Sequence, residues 1–283
     1  HILGSSSVHL ELQTGASLRR LVFSGDVGRY AAPILLDPEP IGLADYIFVE
    51  STYGDRTHIA DDNGQRFASI VSDTAQRGGK LVIPSFAIGR VEEVLFWLKL
   101  LEDGKRIPVL PVYIDSPMAG RALQFYANRV NELEMTVPPG SRGVSMFATG
   151  RMTTVASVQQ SKDLVASRQP AIVIASSGMA TGGRVLHHLE AALPSPKNTV
   201  LFVGYQSEGT RGRQLVDGAS IVRLKGGEIS VGARMEKLDS MSAHADAGEI
   251  LRWLSGLKQP PAMTYLVHGE KSALETLRDR ITN

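Results

Sequence analysis

Four short runs in the middle of the chain set its architecture. Leu81-Val82-Ile83, the stretch from Val109 to Ile114, Ala171-Ile172-Val173-Ile174 and Thr199-Val200-Leu201-Phe202-Val203 are almost wholly apolar. A strand with no polar alternation is buried on both faces, which is the pattern of a parallel sheet covered by helices. Each run is followed by a Gly-, Ser- or Pro-containing turn and then by helical spacing. Pro84 to Arg90 leads into Val91, Val94, Leu95 and Leu98, and Asp115-Ser116-Pro117-Met118 leads into a helix expected to reach about Val130. Ala175-Ser176-Ser177-Gly178-Met179 precedes Thr181-Gly182-Gly183-Arg184 at another helix start, and Gly204-Tyr205-Gln206 precedes Gly209 to Arg213. Repeated strand-turn-helix units of this kind predict an α/β domain with a mainly parallel sheet over about 56–211. Residues 138–155, containing Gly, Ser and Thr, read as a loop within it.

The flanks have another style. Val8, Leu10 and Leu12 alternate with His9, Glu11 and Gln13, the period of a half-buried strand. Leu21-Val22-Phe23 ends in Ser24-Gly25-Asp26, and Tyr46-Ile47-Phe48-Val49 ends in Glu50-Ser51-Thr52-Tyr53-Gly54, so each strand delivers a carboxylate to its C-terminal end. Open sheets place their chemistry at such ends. Asp26 also reads as a turn residue, and Glu50 as a capping or solvated acid. Pro33, Pro38 and Pro40 mark a surface connection between them. After residue 212 short strands return, at Ser220 to Leu224 and Ile229 to Val231. Then come two histidine units. Ser242-Ala243-His244-Ala245-Asp246 opens a helix through the capping-box pair Asp246 and Glu249, with Ile250, Leu251, Leu254 and Leu257 as its apolar face. Thr264-Tyr265-Leu266-Val267 reads as a buried strand that delivers His268, and Ser272 with Glu275 reads as the cap of a second helix. First and last parts share a style that the middle lacks, so an inserted domain within a parent fold is expected.

The composition is that of a globular chain, with 43% hydrophobic and 21% charged residues over 283 positions. No apolar stretch approaches the roughly 20 residues of a membrane span. With no cysteine, disulfides and thiolate metal sites are excluded, so a metal would be held by His and carboxylate. A cytoplasmic location is the expectation. A net charge of +1 gives no global nucleic-acid signature, though a local basic groove would not register in that sum. Strand-to-helix turns carrying Ser85 and Arg90, and Ser177, Gly178 and Arg184, form a natural phosphate-binding rim of amide and guanidinium donors. His187 and His188 are adjacent in a helix and point about 100° apart, so they do not chelate one ion together. With His9 and His58 they default to surface, packing or other structural roles.

The motifs His1-Ile2-Leu3-Gly4, Ser24-Gly25-Asp26, Glu50 to Gly54, Pro84 to Arg90, Ser177-Gly178-Met179 with Thr181-Gly182-Gly183, Gly204-Tyr205-Gln206 with Glu208-Gly209-Thr210, Ser242 to Asp246 and Val267-His268-Gly269-Glu270 follow one another in this order. Together they resemble the β-CASP branch of the metallo-β-lactamase superfamily. That branch includes the nuclease subunit of the pre-mRNA cleavage and polyadenylation machinery and ribonuclease J. The resemblance implies a metallo-β-lactamase αββα sandwich over 1–55 and 212–283, partial here, interrupted by a β-CASP α/β domain over 56–211 that clamps RNA. It implies His1 as a ligand of one zinc, Asp26 as the carboxylate bridging two, and His268 as a ligand of the second. It further implies His244 as the group that contacts the scissile phosphate and protonates the leaving oxygen, oriented by Glu50. A histidine at the position of His268 goes with the RNA-cleaving members.

One family motif is missing. His-x-His-x-Asp-His, which supplies four ligands upstream of the position of His1, occurs nowhere in the chain, and all seven histidines are already placed. The chain therefore reads as a family member lacking about its first third, beginning inside a domain. His1, Asp26 and His268 alone are too few to hold two ions. The expected function of the intact protein is zinc-dependent hydrolysis of single-stranded RNA, a metal-bound hydroxide attacking phosphorus with His244 as general acid. A homodimer is left open, as is the activity of this stretch alone. Two other classes stay open: a non-catalytic RNA-binding or assembly subunit, and a small-ester or lactam hydrolase.

Overall fold

A computed structural model describes residues 1–59, 62–134 and 146–282. Much of the loop expected over 138–155 lies outside these residues. The chain forms two compact units, the first from His1–Ile59, Asn131–Met135 and Ser242–Asn283, the second from Ala60–Val130 and Thr136–Met241.

The first unit is a four-stranded sheet with two helices. β1 (Val8–Thr14) and β2 (Ser17–Phe23) form an antiparallel hairpin, and β3 (Tyr46–Glu50) and β12 (Met263–Val267) join parallel in the order β1-β2-β3-β12. One face of this sheet packs Val22, Ile47 and Val49 against Ile250 and Trp253 of α7 (Ala247–Leu254) and Leu277 of α8 (Lys271–Thr282). The other face is partly exposed among the described residues. In register across it stand Val8, Phe23, Phe48 and Tyr265, whose three aromatic rings stack at centroid spacings of 4.5 and 4.6 Å. Every residue of β1 is exposed. The alternation of β1 correctly marks a strand, but neither side of it is buried: it is an edge strand paired with β2, and Leu10 and Leu12 are exposed among the described residues. β12 likewise alternates between exposed and half-buried rather than being buried. Ser272 lies within α8, which starts at Lys271, so it is not the cap expected. The Asp246 and Glu249 capping box of α7 is present in full.

The second unit is an all-parallel six-stranded sheet flanked by helices. Its order is β11 (Arg234–Leu238), β8 (Thr199–Val203), β4 (Lys80–Pro84), β7 (Ala171–Ala175), β5 (Val112–Asp115) and β6 (Met152–Thr154). β4, β7 and β8 are buried at every position, as their unbroken apolar runs require. The helices are α1 (Gln65–Gln76), α2 (Arg90–Asp103), α3 (Pro117–Ala127), α4 (Val158–Ala166), α5 (Val185–Ala192) and α6 (Arg211–Val216). α2 buries Val91, Val94, Leu95, Trp97 and Leu98 on its inner side. The return to the parent fold expected at 212 comes at 242 in the contacts of the chain. The reason is β11, which pairs parallel with β8 over five residues, with the hairpin of β9 (Ile221–Leu224) and β10 (Gly227–Ser230) leading into it. Leu224 and Val222 belong to the same core as Phe202 and Leu189.

Candidate active site

Four strand ends and turns of the first unit build the site. After β2 the chain turns at Gly25, whose φ is +59° and where an added Cβ would lie 2.8 Å from the Ser6 carbonyl oxygen. Glycine at this left-handed position lets the chain swing Asp26 out beyond the strand. Ser24 ties the turn to β3, its hydroxyl accepting the Glu50 N–H at 3.1 Å. Register places Val267 beside Glu50, so the residues after β3 and β12 emerge side by side. Thr52 Oγ1 donates to the His268 carbonyl at 3.2 Å, Ser51 Oγ to that of Val267 at 2.7 Å, and Gly269 leaves room for Ser51 where a Cβ would sit 2.6 Å from its carbonyl oxygen. His268 itself is left-handed, φ +55°. A non-glycine residue rarely holds that backbone unless its surroundings enforce it, and such positions gather at functional sites.

Asp26 lies between two imidazoles. Its Oδ2 is 3.6 Å from His1 Nδ1 and its Oδ1 is 3.5 Å from His268 Nδ1. Both spacings exceed a hydrogen bond. They match the separation of about 3.4 Å between two ligand atoms sharing a tetrahedral zinc with bonds of about 2.0–2.1 Å. The donor set, imidazole and carboxylate oxygen, is one that zinc accepts. Asp26 thus turns one carboxylate oxygen to each histidine, and each pair has donors and a spacing that suit a metal ion. His1 and Asp26 also line a cavity of about 440 Å³ with Ser24, His9, Glu132 and Trp253.

His244 completes the cluster by a different bond. Its Nδ1 is 2.9 Å from Glu50 Oε2 and 3.1 Å from Oε1, so the ring donates Nδ1–H to that carboxylate and presents Nε2 elsewhere. Glu50 is 1% exposed and its Oε1 also accepts the Val27 N–H at 2.7 Å. The His244 ring stands 4.3 Å from that of His1 and 5.8 Å from that of His268, centroid to centroid. One ligand-capable atom each from His1, Asp26 and His244 lie within 4.8 Å of one another, as do those of Glu50, His244 and His268. Residues as far apart in sequence as 1, 26, 50, 244 and 268 thus converge.

A third group, His58, Asp246 and Glu249, meets the same spacing, but its atoms are already committed. Asp246 Oδ1 accepts the Glu249 N–H at 2.9 Å and Oδ2 the His58 N–H at 2.7 Å, while Glu249 accepts the N–H groups of Asp246 at 2.9 Å and Tyr30 at 3.0 Å. His58 Nε2 lies 2.9 Å from the His244 carbonyl oxygen. Burial holds the His58 ring below its ordinary pKa, which keeps it neutral with the proton on Nε2. His58, expected in a structural role, lies beside the loop of His244. Its only local signal is its place eight positions after Glu50.

The rim residues of the second unit divide. Ser85 and Arg90 are buried, the former donating to the Phe86 carbonyl at 3.0 Å and the latter paired with Glu93. Gly178 is buried too, where a Cβ would stand 2.7 Å from the Phe86 ring. The side chains of Ser85 and Arg90 are thus turned inward, and Gly178 lets the Phe86 ring pack against its turn. Ser177 and Arg184 remain partly exposed. Ser177 Oγ accepts the Thr181 N–H at 3.1 Å, and Arg184 bonds the fully buried Asp115 at 2.7 Å, alongside His188 at 2.6 Å. His188 is thus a packing residue, as expected.

Residues 91–215 match the model of the β-CASP domain, and residues 228–283 that of the Zn-dependent metallo-hydrolase RNA specificity domain. The chain is similar to ribonuclease TTHA0252 of Thermus thermophilus, 39% identical over 92% of this chain and 59% of that protein. It is also similar to the transcription termination factor FttA of Pyrococcus abyssi, 32% identical over 95% of this chain and 43% of that protein. An RNase J-like protein of Methanocaldococcus jannaschii is 29% identical over 96% of this chain and 62% of its own length. The chain spans about half of the length of the curated relatives it matches.

Proposed function

We propose, from the premise that this chain belongs to the β-CASP family of metallo-β-lactamase-type hydrolases, that the whole protein is a zinc-dependent ribonuclease acting on single-stranded RNA. The observation that carries the reading is Asp26 between His1 and His268, at 3.6 and 3.5 Å, beside the Glu50–His244 pair. We assign two ions to the site, His1 with Asp26 on one and His268 with Asp26 on the other. Zinc bound there supplies Lewis acidity toward a phosphodiester and eases the ionisation of water.

The remaining chemistry belongs to the chain. Glu50 keeps the Nδ1 proton of His244, so a second proton on the ring sits on Nε2, where it passes to the oxygen that leaves phosphorus. Burial of Glu50 excludes water from that bond and fixes the ring's direction. Ser177 and Arg184 supply the exposed polar atoms of the turn we assign to RNA backbone contact.

Three ligands are too few for two ions that each take about four. We assign the missing ligands to a segment outside this chain, carrying the His-x-His-x-Asp-His pattern and covering the partly exposed face of Leu10, Phe23, Phe48 and Tyr265. The greater length of the relatives and the exposed apolar face support this assignment. The test is cleavage of single-stranded RNA by the full-length protein. Asp26→Ala and His244→Ala are each expected to lower turnover at least about 100-fold. Retention of cleavage in both variants overturns the reading.

A further inference from the structure

The loop that carries His244 is gripped from two directions. On one side Ala245 donates its N–H to the Val27 carbonyl at 2.9 Å, and Gly28 bridges His244. On the other, the segment from Tyr53 to His58 runs beside it. Tyr53 bridges Asp246, and Ala247 donates to the Arg56 carbonyl at 3.1 Å. His58 closes this second side with both its backbone and its ring. The N–H reaches Asp246 at 2.7 Å, the ring Nε2 reaches the carbonyl of His244 itself at 2.9 Å, and the ring rests edge-on against Tyr53 at 4.9 Å.

We propose that His58 is a positioning residue for the proton donor: its ring bonds the His244 carbonyl and its N–H bonds the Asp246 carboxylate, and together they fix the direction in which His244 presents Nε2 to the leaving oxygen. The inference rests on the ribonuclease reading given above. Glu50 holds the ring of His244 and backbone bonds hold the loop at Ala245 and Ala247, while the carbonyl of His244 itself is bonded by the ring of His58. That bond sets the tilt of the peptide that follows His244, and the carbonyl orientation and the placement of Cα and Cβ move together. Each carboxylate oxygen of Asp246 and Glu249 already accepts a backbone N–H, which favours a latch over a separate metal site at these three residues. Because a carbonyl oxygen only accepts, the ring nitrogen facing it, Nε2, carries the proton.

The test uses the full-length protein and two substrates. Single-stranded RNA has a poor alkoxide leaving group that needs a proton. Bis(p-nitrophenyl) phosphate has a nitrophenolate leaving group that does not. His58→Phe keeps the ring on Tyr53 and removes the donor, whereas His58→Gln returns an N–H near the Nε2 position. His58→Phe is expected to lower kcat on RNA roughly 10- to 100-fold with KM within about twofold, as outer-shell partners of a reacting group do, and to leave nitrophenyl ester turnover near that of the parent. His58→Gln is expected to recover most of the RNA activity. Equal loss on both substrates, or no recovery in His58→Gln, shows a merely structural role and overturns the proposal. So does unchanged RNA turnover in His58→Phe when His244→Ala is inactive. If His244→Ala itself cleaves RNA normally, the ribonuclease assignment of His244 fails first, and that outcome is separate from the others.

Discussion

Replacing Asp246 tests whether the latch and the helix cap are separate bonds of one carboxylate. Asp246 is 5% exposed; Oδ1 caps α7 through the Glu249 N–H at 2.9 Å and Oδ2 receives the His58 N–H at 2.7 Å. Losing an N-cap costs about 1 kcal/mol. Leaving a half-buried amide without its acceptor costs a further ~1–3 kcal/mol. Asp246→Ala loses both, so ~2–4 kcal/mol of destabilisation is expected. Asp246→Ser retains a hydroxyl able to cap α7 but with one oxygen unable to serve both amides, so it is expected to lose only the latch, ~1–3 kcal/mol. The gap between the two variants, about 1 kcal/mol, is then the cap alone. Urea unfolding followed by tryptophan emission reads these values directly. Calorimetry should show a lowered midpoint of roughly 2–4 °C per kcal/mol. Asp246→Ala within about 0.5 kcal/mol of the parent would refute the reasoning, that being the ordinary range of an inconsequential surface change. Equal destabilisation by Ser and Ala would refute the separation of the two bonds.

Glu92 is fully buried in α2, and burial pushes its carboxyl up to about 7 against the pull of the backbone N–H groups of Glu92 and Gly89. Its folded value lies above the ordinary 4.5, so its contribution to stability is full below pH 4.5 and is lost as pH rises through about 7. Glu92→Gln should abolish that decline, about 3 kcal/mol across the window, seen as a urea midpoint that stops falling between pH 5 and 8. Gly178→Ala would push a methyl to 2.7 Å from the Phe86 ring and 2.9 Å from the Phe86 backbone nitrogen. It should destabilise the second unit by ~1–3 kcal/mol in denaturant melts. Zinc added to chelator-treated full-length protein at about 100 times its dissociation constant should stabilise it by about 2.7 kcal/mol in thermal melts. Asp26→Ala should erase most of that gain and lower the bound zinc measured by elemental analysis.

What could be read from the sequence follows how each element is buried. β4, β7 and β8 were legible because strands covered on both faces become unbroken apolar runs. β6 and β11 sit at the two edges of that sheet, carry exposed polar residues such as Thr153 and Arg234, and show no such run. Missing β11 moved the expected domain boundary to 212. For β1 the alternation of Val8, Leu10 and Leu12 revealed the strand but not its exposure, because periodicity records which side chains share a face and not whether anything covers it. At the site, Asp26, Glu50, His244 and His268 were each visible as strand-end or turn residues. Their convergence was not visible in any spacing, since pairing Glu50 with His244 closes a separation of 194 residues; only the resemblance to a known family joined them. His58 gave no such signal because its ring reaches a main-chain carbonyl, that of His244, and a carbonyl acceptor leaves no mark in the sequence.

The chain has two tryptophans, and they fall one to each compact unit: Trp253 is 3% exposed in the first, its indole N–H donated to the Glu39 carbonyl, and Trp97 is 6% exposed in the second. Each unit therefore carries its own optical label. Trp97→Phe leaves an emission spectrum that belongs to the unit holding the histidine cluster, and Trp253→Phe leaves one that belongs to the parallel sheet. Spectra of the two single-tryptophan proteins, recorded through one denaturation, resolve whether the halves melt as one cooperative block or in succession, and which of them a metal ion or an RNA strand protects.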